Sequence, residues 1–236
     1  MQGNSRVPGS AQSDVHEHLA AVVACHVSTA FRKPYADYNR AAFAASFERY
    51  QRLAPGVPLI LDACCGVGES SVALARAFPT HYVIGVDQSA TRLRRGQQCQ
   101  QARRESRESP EEQGAWPANL DLVRADLVDY WRLLLDAGLR LDRHYLLYPN
   151  PWPKIGHLRR RWHGHPVFPA LLALGGVLEC RSNWPIYIAE HCLAVQQLTG
   201  QAAVCEPFVP DLPMTPFERK YLDSGHGLFR TVTHLT

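Results

Sequence analysis

The stretch Leu59-Ile-Leu-Asp62-Ala-Cys-Cys-Gly66-Val-Gly68-Glu-Ser70 decides the fold. Leu59 to Leu61 give the apolar run of a buried strand, Asp62 closes it, and Gly66 and Gly68 allow a tight turn. Glu69 and the two serines after it open an apolar-periodic segment, residues 72–78, that reads as a helix. Such a turn frees backbone N–H groups at a helix N-terminus and lets a ligand approach the main chain. About twenty residues on, Tyr82-Val-Ile-Gly-Val-Asp87 is a second apolar strand that ends in an acid, the spacing at which a carboxylate meets ribose hydroxyls in a nucleotide-binding βαβ unit. A lone Gly-x-Gly reads only as a loop. The strand before it, the helix after it and Asp87, followed by Gln88, turn it into a nucleoside-cofactor site. The third glycine of a dinucleotide fingerprint is missing, because Glu69 follows Gly68. Together with Asp62 this favours S-adenosylmethionine (SAM) over NAD.

Downstream, residues 119–126 are a third strand with Asp126 just past its end, residues 127–137 a helix, and residues 141–149 a fourth strand leading into Asn150. Residues 175–183 and 201–207 read as further strands around a helix at 184–198. Residues 213–219 read as a loop, and the strand starting at Gly225 is the last. Strand–helix alternation at this pace predicts an α/β fold, a Rossmann-like, doubly wound, mostly parallel seven-stranded sheet. Asp62, Asp87, Asp126 and Asn150 then share the C-terminal ends of strands, which is the ligand edge of open sheets.

The whole chain is consistent with one such domain. Its 236 residues suffice for a sizeable core, and a net charge of +3 is too mild to indicate nucleic acid by itself. No apolar run approaches the roughly 18 residues of a membrane span, and the N-terminus lacks a signal pattern. Seven cysteines without a C-x-x-C pair suggest reduced thiols, a cytoplasmic setting and no metal framework. Cys64 and Cys65 read as small buried fillers. Residues 1–14, rich in Gly, Ser and Gln, read as a disordered tail, and residues 15–57 as a helical lead-in with helices near 15–26 and 41–53. The α/β domain itself spans 58–236. His16, His18 and His26 read as surface residues, since nothing completes a metal site around them. The polar stretch 97–114, with Arg103, Arg104 and Arg107, reads as a solvated helix face and then an insertion.

The densest chemistry follows the fourth strand, in Tyr148-Pro-Asn150-Pro-Trp152-Pro-Lys154-Ile-Gly-His157-Leu-Arg159-Arg160-Arg161. Prolines stiffen the exit from the strand and Trp152 offers an aromatic face. Lys154 and the three arginines concentrate positive charge. Basic residues interleaved with Trp and His suit phosphate contacts beside a stacked base, so this is read as an RNA-facing loop.

At this point the chain resembles the bacterial tRNA (guanine-N7-)-methyltransferase family, a class I SAM-dependent group, from about residue 58 onward. The resemblance is carried by Pro149 to Lys154 with His157 and the arginines, by Asn183-Trp184 with Tyr187, and by Thr215-Pro-Phe217-Glu218 with Gly225-His-Gly227. It implies that Asp62, Asp87 and Asp126 contact SAM, joined by Gly66, Gly68 and Gln88. It also implies that Lys154, His157, Arg159, Arg160, Arg161, Asn183, Tyr187, Thr215, Phe217 and Glu218 serve the acceptor side, with Asn150 and Trp152 holding the base. Two positions depart from the family pattern: Asn150 and Asn183 stand where the family has Asp. Guanine N7 carries a lone pair and no proton, so its methylation needs no general base. A carboxylate would still stabilise the positive charge that moves onto the purine, and an amide supplies only a dipole. The implied activity is methyl transfer to a purine ring nitrogen, guanine N7 in tRNA first. A small nitrogen heterocycle or another nucleobase nitrogen is the alternative acceptor, and a catalytically silent RNA-binding paralogue the third reading. The expected partners are tRNA or a small-molecule acceptor, with no membrane, for a monomer or weak homodimer.

Overall fold

The computed structural model describes residues 5–29, 31–105 and 116–236. Residues 1–4 of the expected tail and 106–115 of the expected insertion, including Arg107, lie outside the described residues, as do the side chains of Arg103 and Arg104. Helices α1 (Leu19–Ser28) and α2 (Asp37–Leu53) precede β1 (Leu59–Ala63). Then come α3 (Glu69–Ala77), β2 (Tyr82–Asp87), α4 (Ala90–Glu105), β3 (Leu120–Arg124), α5 (Leu127–Asp136) and β4 (Arg143–Leu147). Two 3-10 turns, Ile155–Arg160 and Trp162–Gly164, lead to α6 (Phe168–Ala173), β5 (Gly176–Ser182), α7 (Pro185–Thr199), β6 (Glu206–Phe208), α8 (Pro216–Asp223) and β7 (Leu228–Leu235). The seven strands form one sheet in the order β3-β2-β1-β4-β5-β7-β6. Among the described residues, no helix is long and apolar enough to cross a membrane.

Packing divides the chain into two compact units, Tyr35–Leu133 and Met1–Pro34 with Leu134–Thr236. In the first unit β1 pairs in parallel with β2, and β2 with β3. Every residue of β1 and β2 is buried, as expected of parallel strands covered on both faces. Two glycines fix how closely the helices approach. Gly85 lies opposite Asp62 in the sheet, and a Cβ there would meet Ser71 Oγ of α3 at 2.3 Å. A Cβ on Gly96 of α4 would meet the Val67 carbonyl at 1.8 Å, so only glycine lets α4 lie against the glycine turn.

In the second unit β4 pairs in parallel with β5, while β7 runs antiparallel to both β5 and β6. Three sequence expectations change here. The strand expected over 201–207 shrinks to Glu206–Phe208 at the sheet edge, where Pro207 donates no ladder hydrogen bond. The loop expected over 213–219 is instead the start of helix α8: Thr215 Oγ1 accepts the Glu218 N–H at 3.0 Å, with Pro216 at the first helical position. The last strand begins at Leu228 and not at Gly225, which sits in the turn at φ 72°. Residues 5–14, expected as a disordered tail, contain no helix or strand but are hydrogen-bonded into this unit at several points.

Candidate functional site

The Tyr35–Leu133 unit carries the residues expected at the cofactor. The turn between β1 and α3 is held in the left-handed region at Cys64 (φ 62°), Gly66 (φ 61°) and Gly68 (φ 79°). A Cβ on Gly66 would meet nothing within 4 Å, so the main chain there borders open space. Asp62 is fully buried one residue before the end of β1. Its Oδ2 accepts both Ser70 Oγ and Ser71 Oγ at 2.6 Å. Its Oδ1 is buried without a hydrogen-bond partner among the described residues. Burial raises its pKa to about 6; the two serine hydroxyls oppose that shift and the Asp87 charge adds to it.

Asp87 ends β2 and is 4 % exposed. It accepts the Gly66 N–H at 3.1 Å and the Ser89 N–H at 2.7 Å, and pairs with Arg92 at 3.2 Å. One carboxylate therefore ties the glycine turn to the start of α4. The next residue, Gln88, is exposed, and its carbonyl accepts Arg124 Nε. Asp126 lies two residues past β3 and caps the first turn of α5, accepting the Val128 N–H at 2.9 Å. Its own N–H goes to Asn39 Oδ1, and Asn39 Nδ2 donates to the buried Asp129 at 2.6 Å. Asn39, Asp129, Gly85 and Gly96 hold this edge in shape, and sequence reading passed over them. A glycine inside a helical pattern was the one available signal, because it commonly marks close packing. Cys65 is buried with its thiol pKa pushed well up, by burial first and then by Asp62 and Asp87, which suits an inert filler.

The other unit carries the residues expected at the acceptor. Two non-glycine residues that flank Pro149-Asn150-Pro151 sit at positive φ, Tyr148 at 51° and Trp152 at 46°. For bulky side chains this is a strained backbone, of the kind held at functional sites. Asn150 is exposed, and its Oδ1 accepts the Trp152 N–H at 3.2 Å. The amide nitrogen is what Asn150 has left to offer a ligand. Trp152 packs edge-on against His157 (5.4 Å) and lies under the Arg160 guanidinium (4.9 Å). Lys154, Arg159 and Arg160 are exposed. The His157 pKa is lowered by desolvation first and then by Arg160 and Lys154.

Three expected contact residues have another placement. Arg161 is fully buried: its guanidinium meets Glu190 at 2.7 and 2.5 Å and lies over Trp184 at 4.9 Å. It cannot reach a phosphate without leaving Glu190. Tyr187 is fully buried against the His163 ring at 4.7 Å. Glu218 is fully buried and accepts Tyr148 Oη (2.7 Å), Arg181 (2.9 Å) and the Met214 N–H (2.6 Å). It braces the strained Tyr148 and the start of α8 from inside the protein. Thr215 is its partner in the helix cap, and Phe217, 51 % exposed, stacks on Tyr221.

Asn183, 5 % exposed, faces His226 Nδ1 at 3.0 Å, while His226 Nε2 faces the Ser5 carbonyl at 3.1 Å. A carbonyl only accepts, so Nε2 carries the proton and Nδ1 accepts from the Asn183 amide. Among the described residues, no group of three or more His, Cys, Asp or Glu side chains could hold a metal ion.

Residues 57–231 match the family model described as "Putative methyltransferase". The chain is 30 % identical to the tRNA (guanine-N(7)-)-methyltransferase of Leifsonia xyli subsp. xyli (strain CTCB07), over 73 % of this chain and 74 % of that protein. It is 31 % identical to the protein of the same name from Stutzerimonas stutzeri (strain A1501), over 73 % of this chain and 70 % of that one. Among solved structures, the 16S rRNA methyltransferase KamB aligns with a TM-score of 0.57 at 16 % identity, covering 86 % of this chain and 95 % of that one, a likeness of fold alone.

Proposed function

Because this chain belongs to the tRNA (guanine-N7-)-methyltransferase family of SAM-dependent methyltransferases, we propose that it transfers a methyl group from SAM to N7 of a guanine in tRNA. The observation that carries the acceptor reading is the loop after β4: Trp152 held at φ 46° beside the exposed cations Lys154, Arg159 and Arg160. An aromatic face next to phosphate-binding charge is the combination that takes an unstacked base of RNA.

The residues on the cofactor side fit SAM. Asp62 Oδ1 is a buried acceptor awaiting a donor, and the space beside Gly66 admits a ligand against the main chain. Asp62, Gly66, Gly68, Asp87, Gln88 and Asp126 would hold it, with Asp87 suited to hydroxyls of the ribose. SAM supplies an electrophilic methyl group on a sulfonium.

The protein's own part is orientation and charge. N7 presents a lone pair without a proton, so no side chain has to act as a base. Lys154, Arg159 and Arg160 neutralise phosphates and set the register of the RNA. Trp152 stacks the base. The Asn150 amide nitrogen is a donor, and the N7 edge of guanine carries O6 as a neighbouring acceptor. A bond there would orient N7 without blocking it. That same donor also suits a small nitrogen heterocycle with an adjacent carbonyl, which is the second reading.

The test gives the purified protein labelled SAM with bulk tRNA, and separately with a small-molecule extract, and identifies the methylated base by mass spectrometry. The expected product is 7-methylguanine in tRNA. Replacing Arg159 and Arg160 by Ala should weaken tRNA binding and flatten its salt dependence by about one counterion per lost phosphate contact, leaving SAM affinity intact. Label confined to the small-molecule fraction would reject the tRNA reading.

A further inference from the structure

We propose that the N-terminal segment belongs to the acceptor side, with Ser10 and Gln12 acting as positioning residues for the Trp152–Lys154 turn. This rests on reading that turn as the loop that holds the acceptor base.

The turn is closed locally at Lys154, whose carbonyl accepts the His157 N–H at 2.9 Å, but it offers few donors of its own. Pro151 and Pro153 have no N–H, and the Trp152 N–H is spent on Asn150 Oδ1. Its shape nevertheless includes a tryptophan at φ 46°, which persists only where the surroundings impose it. The surroundings act through three consecutive carbonyls. Trp152 O accepts Arg161 Nε at 3.2 Å, Pro153 O accepts Ser10 Oγ at 2.5 Å, and Lys154 O accepts an Arg161 terminal nitrogen at 3.4 Å.

Gln12 sets the position of Arg161 in turn. Its Oε1 accepts from Arg161 at 2.9 Å, and its Nε2 donates to Glu190 Oε1 at 2.6 Å and to the Asp14 carbonyl at 2.7 Å. The amide thus bridges both members of the buried ion pair. The His16 N–H adds a further bond to Glu190 at 3.0 Å. Upstream, the Ser5 N–H donates to Ser224 Oγ, and the Ser5 carbonyl accepts from His226, the ring that receives the Asn183 amide. One short segment therefore bonds directly to two of the acceptor-side motifs, at Pro153 with Arg161 and at His226, and reaches Asn183 through His226. Its own composition gives it no regular structure, so its path is set by these bonds.

The experiment compares the unmodified protein with the double variant Ser10→Ala/Gln12→Ala and the single variant Ser10→Thr, which keeps the hydroxyl. Amide hydrogen exchange is followed over residues 148–161, alongside SAM affinity and the KM for tRNA. In the double variant, exchange over 148–161 should rise and KM for tRNA should increase by about three- to tenfold, the scale of one or two lost hydrogen bonds. SAM affinity should stay at the wild-type value, and Ser10→Thr should behave as wild type. Unchanged exchange over 148–161 in the double variant would overturn the proposal. So would a lowered melting temperature with unchanged exchange there and unchanged KM, since that is a plain structural staple. If the wild type does not methylate tRNA but the double variant still loosens 148–161, the positioning stands and only the tRNA reading falls.

Discussion

At the scale of single residues, Asp62 is the most consequential group. Its ordinary pKa is 3.8, and burial lifts it to about 6 in the folded chain. Between those values the folded state binds a proton that the unfolded state releases. Its contribution to stability therefore declines as pH rises from about 4 to 6. At pH 7 the ionised, buried carboxylate costs roughly 3 kcal/mol, a penalty consistent with a group retained for ligand binding. Asp62→Asn removes the charge and keeps an oxygen for Ser70 and Ser71. The expected outcome is a higher melting temperature at pH 7.5 and SAM affinity lower by about tenfold or more, the scale of a lost charge-assisted bond. Thermal melts and titration calorimetry check it, and an unaltered SAM affinity would remove Asp62 from the site. Asn150→Asp keeps the acceptor for the Trp152 N–H, so the turn survives while a donor becomes a carboxylate. Because the Asn150 amide is the proposed donor to guanine O6, guanine-N7 methylation should fall by about tenfold. A rise would mean that the amide donor is not in use and that charge stabilisation is what the position lacks.

At the scale of elements, α8 shows how a motif can have two roles. Thr215-Pro-Phe-Glu218 resembles a family substrate motif, and it is also a helix start. Thr215 caps the Glu218 N–H, and the Glu218 carboxylate turns back to the Met214 N–H just ahead of the cap. Thr215→Ala should cost about 1 kcal/mol in urea unfolding at pH 7. Because Glu218 also braces Tyr148, the same variant should slow methylation while SAM affinity holds. A variant as stable as wild type would show that Pro216 and the Glu218 contacts start the helix without the cap. The 3-10 turn Ile155–Arg160 makes a related point about sorting side chains. It leaves Arg159 and Arg160 outside and sends Arg161, at its end, inward.

At the scale of the whole molecule, buried histidines set the response to acid. His144 and His191 are fully buried, which lowers their pKa from 6.5 to about 3. His163 moves in the same direction, also through burial. Between pH 6.5 and 3 the unfolded chain binds protons that the folded chain refuses, so stability falls as pH falls. Burial alone would raise the Glu190 pKa, but His163 and Arg161 outweigh it and hold the group at about 2. Below 4.5 it therefore adds to the acid loss. Asp62 works the other way between 3.8 and 6, one group against several. Urea unfolding should therefore show stability dropping from pH 7 to pH 5, by up to about 1.4 kcal/mol per pH unit for each neutral histidine. His191→Phe should flatten the slope. Stability that is flat or rising towards pH 5 would mean these rings are not held neutral.

The amino-acid sequence by itself determined the alternation of strands and helices, the glycine turn and the acids at the strand ends. Each of these is local: periodicity, turn residues and short spacings are properties of neighbouring positions in the chain. Only the tertiary structure decided which charged residues stay at the surface and which are buried. Arg159, Arg160 and Arg161 are identical neighbours in sequence, yet the third is buried because Glu190, far along the chain, supplies its counter-charge. The fate of Glu218 was decided the same way by Arg181 and Tyr148, and that of the N-terminal segment by Glu190, Arg161 and His226. A charge can leave water only where a partner waits for it, and the fold alone brings that partner into place.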